Sequence, residues 1–167
     1  MIGVKEKVYN FFDKLNLEYK VFDHKAIFCE KDSYGIEENL EGIVCKNLFL
    51  KDKNNPTKYY LLSLPLHKRA NIKEVKNILS VKKLTFGNED ELFNTLGVKP
   101  GSMSILNIIE RPDADVTFLI DKELFEYEKV CFHPNDNTSS ITFYSKDLIK
   151  ILENFNTNYD VINIGEM

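Results

Sequence analysis

The chain has no tryptophan, only seven glycines and five prolines among 167 residues, and three cysteines. So little Gly and Pro excludes a collagen-like or low-complexity chain. With 43% hydrophobic residues, a folded core is expected rather than disorder. Cys29, Cys45 and Cys131 are odd in number and far apart, with no C-x-x-C pair, so neither a zinc site nor a disulfide framework is indicated. A reducing, cytosolic setting is the expectation. No apolar run approaches the roughly 20 residues of a membrane span. Met1 to Phe12 mixes Lys and Glu into its apolar positions, unlike a secretory signal. The H-E-x-x-H, P-loop and Rossmann glycine patterns are all missing, and no Ser-His-Asp order is evident. Zinc hydrolysis and nucleotide triphosphate chemistry are therefore unsupported.

The length suits one domain, residues 1–167, with a sizeable core. The net charge of −4 argues mildly against a nucleic-acid partner. Its distribution says otherwise. From Ile43 to Lys83 the chain holds ten basic residues and only Asp52 and Glu74 as acids, a local +8 that leaves −12 for the rest. Such asymmetry permits a field that attracts phosphates, although a solvated Lys-rich surface would look the same.

Val4, Val8, Phe11, Phe12 and Leu15 define one apolar face of an opening helix that ends near Asn16. Strands are predicted at Glu18–Phe22, Gly42–Leu50, Lys58–Leu64, Leu84–Phe86, Met103–Ile109, Val116–Ile120, Val130–Phe132, Ile141–Tyr144 and Val161–Ile164. The turn cluster Asp52 to Pro56 makes the second and third a hairpin. A helix is expected over Glu30–Leu40. Others follow Asn71 and Asn88 as N-caps, the latter with Glu91 in capping-box position and Gly97 as the C-terminal stop. Ser145 is placed to cap a final helix. The order implies one α+β, mixed α/β domain: a mixed sheet of about seven strands with flanking helices.

Three stretches could carry chemistry. In Cys45 to Asp52, Lys46 alternates with Leu48 and Leu50, which puts a cation on a face that otherwise looks buried. In Leu96 to Ser104, Gly101 allows close backbone approach, and free N–H groups there could hold a carbonyl or phosphate oxygen. An ordinary helix-to-strand turn reads the same way. In Phe132 to Ser139, His133 ends a strand and opens a polar loop, suited to proton transfer or substrate binding. His24 and His67 carry weaker signals. His67 lies beside Lys68 and Arg69.

Together these stretches resemble the YbaK/prolyl-tRNA-synthetase-associated editing domain family, in its free-standing ProX/PrdX-type branch. The matching pieces are Lys46-Asn47-Leu48-Phe49-Leu50-Lys51-Asp52, Tyr59-Tyr60-Leu61, Leu96-Gly97-Val98-Lys99-Pro100-Gly101-Ser102, Asp121, and His133-Pro134-Asn135 with Asn137-Thr138. The resemblance implies hydrolysis of a misacylated tRNA ester, without metal or cofactor. It implies that Lys46, Gly101, Ser102 and His133 are catalytic and that Asn47, Phe49, Met103, Asn135 and Thr138 bind substrate. Lys51, Lys58, His67, Lys68 and Arg69 are the expected tRNA contacts. The implied partner is the acceptor end of tRNA(Pro) carrying a wrong amino acid, alanine first and cysteine as the alternative, with prolyl-tRNA synthetase a further candidate. A non-catalytic tRNA-binding protein of the same fold is the rival reading. Ile105-Leu106-Asn107 departs from the Pro-Phe-Gly-like run of many relatives, which bears on the shape of the pocket.

Overall fold

The computed structural model describes residues 3–26, 35–36 and 40–165. The helix expected over Glu30–Leu40 and Cys29 lie largely or wholly outside them. Helix α1 (Val4–Lys14) buries Val8 and Phe12, and the chain then turns at Asn16, where φ is 56°. Next come β1 (Tyr19–Asp23), β2 (Ile43–Asp52) and β3 (Asn55–Pro65), the last two being the expected hairpin. In α2 (Ile72–Leu79) the Asn71 side chain accepts from the N–H groups of Lys73 and Glu74. After β4 (Leu84–Phe86), α3 (Glu89–Leu96) opens on a complete Asn88–Glu91 capping box and stops at Gly97, φ 72°. The chain continues through α4 (Asn107–Glu110), β5 (Val116–Asp121), β6 (Lys129–Phe132), β7 (Ser139–Tyr144), α5 (Asp147–Glu153) and β8 (Asn158–Ile162).

One eight-stranded mixed sheet results, ordered β1-β7-β6-β2-β3-β5-β8, with β4 paired to β2 beside this path. The pairs β2–β6, β3–β5 and β5–β8 are parallel and the rest antiparallel. This is the expected α+β architecture. Strand alternation sorts side chains into two cores. Phe49, Leu61, Phe118 and Ile120 face a large core shared with α1, α3, α4 and α5. Leu50, Leu62, Leu64 and Leu119 face a smaller one with Val75 of α2.

Three local expectations are corrected. Met103–Ile109 is not a strand. The Ser104 hydroxyl accepts from the Leu106 N–H and the Asn107 carboxamide from the Ser104 N–H, both at 2.9 Å, which folds the segment into a turn and α4. Ser145 does not cap α5, because its hydroxyl donates to the Tyr127 carbonyl at 2.5 Å. The last strand starts at Asn158 and ends at Ile162, so its apolar residues stand at its end.

Candidate active site

Among the described residues, strand β2 has an open stretch of edge. It pairs with β6 only at Ile43 and Val44, and with β4 only from Leu50 onward. Beside this gap the loop after α3 is fastened by asparagines. Asn47 Nδ2 donates to the Met103 carbonyl at 2.8 Å, while its oxygen accepts from the Ser63 hydroxyl at 2.6 Å. Asn107 Nδ2 donates to the Ser102 carbonyl at 3.1 Å and to Asn135 Oδ1 at 2.7 Å. Asn135 Nδ2 in turn donates to the Leu106 carbonyl at 3.2 Å. The three stretches singled out in the sequence are thus cross-linked through the half-buried amide of Asn47 and the buried amides of Asn107 and Asn135, all of them hydrogen-bonded.

Lys46 on β2 and His133, just past the end of β6, stand at equal chain distances beyond the short parallel ladder. Each follows by two residues the last pair of the β2–β6 ladder, Val44 with Cys131. Lys46 is half-buried. Its ammonium has no hydrogen bond or ion pair among the described residues. An unpaired cation in such a place is costly unless a ligand or water meets it.

His133 is held differently. Its Nδ1 lies 2.9 Å from the Ser139 carbonyl, which can only accept, so Nδ1 carries the hydrogen. In the neutral ring Nε2 is then an open acceptor. Burial holds the His133 pKa below the ordinary imidazole value, and His24 adds to the lowering; the Ser139 carbonyl and Asp136 oppose it. His24 was a weak signal in the sequence. The structure sets its ring against His133, centroids 5.9 Å apart. His24 is itself fixed by the Lys25 carbonyl at Nδ1 and the Ser140 hydroxyl at Nε2, each at 2.8 Å. Sequence spacing could not show this, since the contact depends on β1 pairing with β7 at Asp23–Ser139.

In the loop after α3 the Ser102 N–H donates to the Lys99 carbonyl at 2.9 Å and the Met103 N–H to that of Pro100 at 3.4 Å. The Gly101 N–H has no such partner among the described residues. Cys45, next to Lys46, has its thiol pushed well above its ordinary pKa by burial, so it is no ready nucleophile. Among the described residues no cluster of His, Cys, Asp and Glu could hold a metal, and no helix is long and apolar enough to cross a membrane.

Several expected contacts are placed elsewhere. Lys68 is 4% exposed, and its ammonium meets Asp121 at 2.8 Å, Glu123 at 3.1 Å and the Ile164 carbonyl at 2.7 Å. It is a buried brace and cannot face RNA. Lys51 is paired to Glu91 at 2.8 Å. Lys58, His67 and Arg69 are exposed. Asn135 is committed to its loop contacts, and the Thr138 hydroxyl donates to Asp136 at 2.5 Å, so neither is free to hold a substrate as expected. Phe49 is a core residue stacked on Tyr59, ring centroids 5.1 Å apart. Together with Asn47, Pro100 and Met103 it lines a narrow cleft of about 160 Å³.

Residues 37–151 match the sequence model of the aminoacyl-tRNA editing domain. The "Prolyl-tRNA editing protein ProX" of Acetoanaerobium sticklandii is 28% identical over 98% of this chain and 99% of its own. The prolyl-tRNA synthetase associated domain-containing protein 1 of Bos taurus is 31% identical over 89% of this chain and 86% of its own. The fold is also that of a solved candidate trans-editing enzyme for prolyl tRNA synthetase, with TM-score 0.72 and 14% identity over 100% of this chain and 99% of the other.

Proposed function

The chain belongs to the aminoacyl-tRNA editing domain family, and on that premise we propose that it is a deacylase that hydrolyses the ester of alanine wrongly attached to tRNA(Pro). The observation that carries this reading is that an uncompensated cation, Lys46, and an imidazole whose Nε2 is an open acceptor, His133, each stand two residues past Val44 and Cys131, the last pair of the parallel β2–β6 ladder.

In this reading Lys46 holds the terminal phosphate or the developing oxyanion by charge. The Gly101 N–H is the loop's donor toward the tetrahedral oxygen. Water attacks the ester carbonyl while His133 Nε2 accepts a hydrogen bond from it and orients it. Collapse of the tetrahedral species breaks the bond to the ribose oxygen, which takes the proton given up by the attacking water, and frees alanine and tRNA. Ser102 acts through its carbonyl, which anchors Asn107. A proline-shaped synthetase site cannot strongly reject the smaller alanine, because a methylene or two is worth only about 1–3 kcal/mol. A second pocket that admits alanine and rejects proline supplies the missing selectivity.

The test is deacylation of alanyl-, cysteinyl- and prolyl-tRNA(Pro) side by side. Loss of alanine with proline spared is the expected result. Preferential loss of cysteine would overturn the choice of amino acid, and loss of none would overturn the activity.

A further inference from the structure

A basic and aromatic track leads away from the site along β4. Its antiparallel pairing sets Phe86 opposite Leu50, Thr85 opposite Lys51 and Leu84 opposite Asp52. At the start of β4, Lys82 and Lys83 are exposed, and the Lys83 carbonyl accepts from the N–H of Lys53, also exposed, at 3.0 Å. The ammoniums of Lys53, Lys82 and Lys83 have no ion pair among the described residues. Of the nearby acids, Asp52 accepts from the Asn54 N–H and Glu91 is paired with Lys51, while Glu89 and Asp90 are exposed beyond the Phe86 end of β4.

At the other end of β4, Phe86 is 57% exposed, a large apolar side chain left on the surface. It stands on the rim of the narrow cleft that holds Asn47, Pro100 and Met103, the residues fastened at the open edge of β2. From Leu50, the partner of Phe86, to Lys46 is four strand residues, about 13 Å. Free cations followed by an exposed aromatic ring and then the candidate site is the arrangement that receives an unpaired nucleic-acid strand. Cations take the phosphates and the ring takes a base face.

We propose that β4 and the turn before it form the track for the unpaired 3′ strand of the RNA, with Lys53, Lys82 and Lys83 on its phosphates and one base stacked on Phe86. The proposal rests on the deacylase reading for the identity of the RNA and adds the surface that receives it. It replaces the buried Lys68 and the paired Lys51 as RNA contacts.

The test is binding of an uncharged RNA hairpin with an unpaired 3′ strand, followed by fluorescence anisotropy across a range of salt. Phe86→Ala is expected to weaken binding between about fivefold and a hundredfold, and Phe86→Trp to restore it. Lys82→Ala combined with Lys83→Ala is expected to lower the slope of log affinity against log salt by about 1.4, at about 0.7 per phosphate on a single strand. A blunt hairpin without the 3′ strand should bind wild type and Phe86→Ala alike. Unchanged affinity in Phe86→Ala, equal weakness of the Ala and Trp variants, or an unchanged salt slope would overturn the track. Because the readout is binding, the two readings fail separately. Wild-type protein that binds the strand in this way but hydrolyses no aminoacyl-tRNA contradicts the deacylase reading alone. Hydrolysis with binding indifferent to Phe86 contradicts the track alone.

Discussion

The imidazoles of His24 and His133 meet edge to face, with centroids 5.9 Å apart and planes at 64°, although 109 positions separate them in the chain. Each ring is pinned by a backbone carbonyl at Nδ1. The contact shields His133 and keeps a second potential cation beside it, so protonating His133 is disfavoured.

A pH dependence is predicted from this. If neutral His133 orients the attacking water, activity rises with pH through a pKa below the ordinary 6.5. Replacing His24 with Ala exposes His133 and removes the repulsion. Its pKa should rise and the acid limb of the rate profile should move to higher pH. The same shift should be visible in an NMR titration of the His133 ring. A limb that stays in place would remove His24 from the account.

Stability should follow the same group. Because the folded pKa of His133 is depressed, the unfolded chain binds its proton first as pH falls. Stability is therefore unaffected by His133 above about pH 6.5, declines as pH drops below that, and levels off once the folded-state pKa is passed. Denaturant unfolding of wild type against His133→Asn across this range should show a steeper decline in the wild type, the remainder common to both coming from carboxylates held below their ordinary pKa, such as Glu91 and Asp136.

Lys68 provides a control for the basic segment. Replacing it with Met leaves Asp121 buried and unpaired, at a predicted cost of about 3–5 kcal/mol. Adding Asp121→Leu should recover much of that. The salt dependence of RNA binding by folded Lys68→Met protein should match wild type. A lowered salt slope would show that Lys68 does reach RNA.

The asparagine network makes a further prediction. Asn107→Ala removes the partner of the Ser104 N–H, the Ser102 carbonyl and Asn135 Oδ1 together. A loss of about 1–3 kcal/mol is expected for the groups left buried and unpaired, with a fall in kcat as the Gly101 loop loosens. Thermal unfolding and steady-state kinetics on the same preparation check both.

Much of the fold is legible in the sequence because it rests on local signals. The Asn88–Glu91 capping box, the Asn71 cap, the Gly97 stop and the Asp52–Pro56 turn each need only neighbouring residues. Apolar content suggests a strand after Met103, whereas Ser104 and Asn107 hold the backbone in a turn. Beside His67 and Arg69, Lys68 reads as surface, since nothing near it in sequence reveals Asp121 at the end of the neighbouring strand β5. Lys46 was legible as a cation on an apolar face. The His24–His133 contact was not, because it depends on long-range strand register.

The most direct measurement is single-turnover release of labelled alanine from alanyl-tRNA(Pro) by wild type and by Lys46→Ala, with unfolding midpoints taken on both. The account predicts fast release by wild type, a rate lower by about a hundredfold or more in the variant, and a midpoint no lower, since the cation removed has no partner to leave behind. Near-normal release by Lys46→Ala would contradict it.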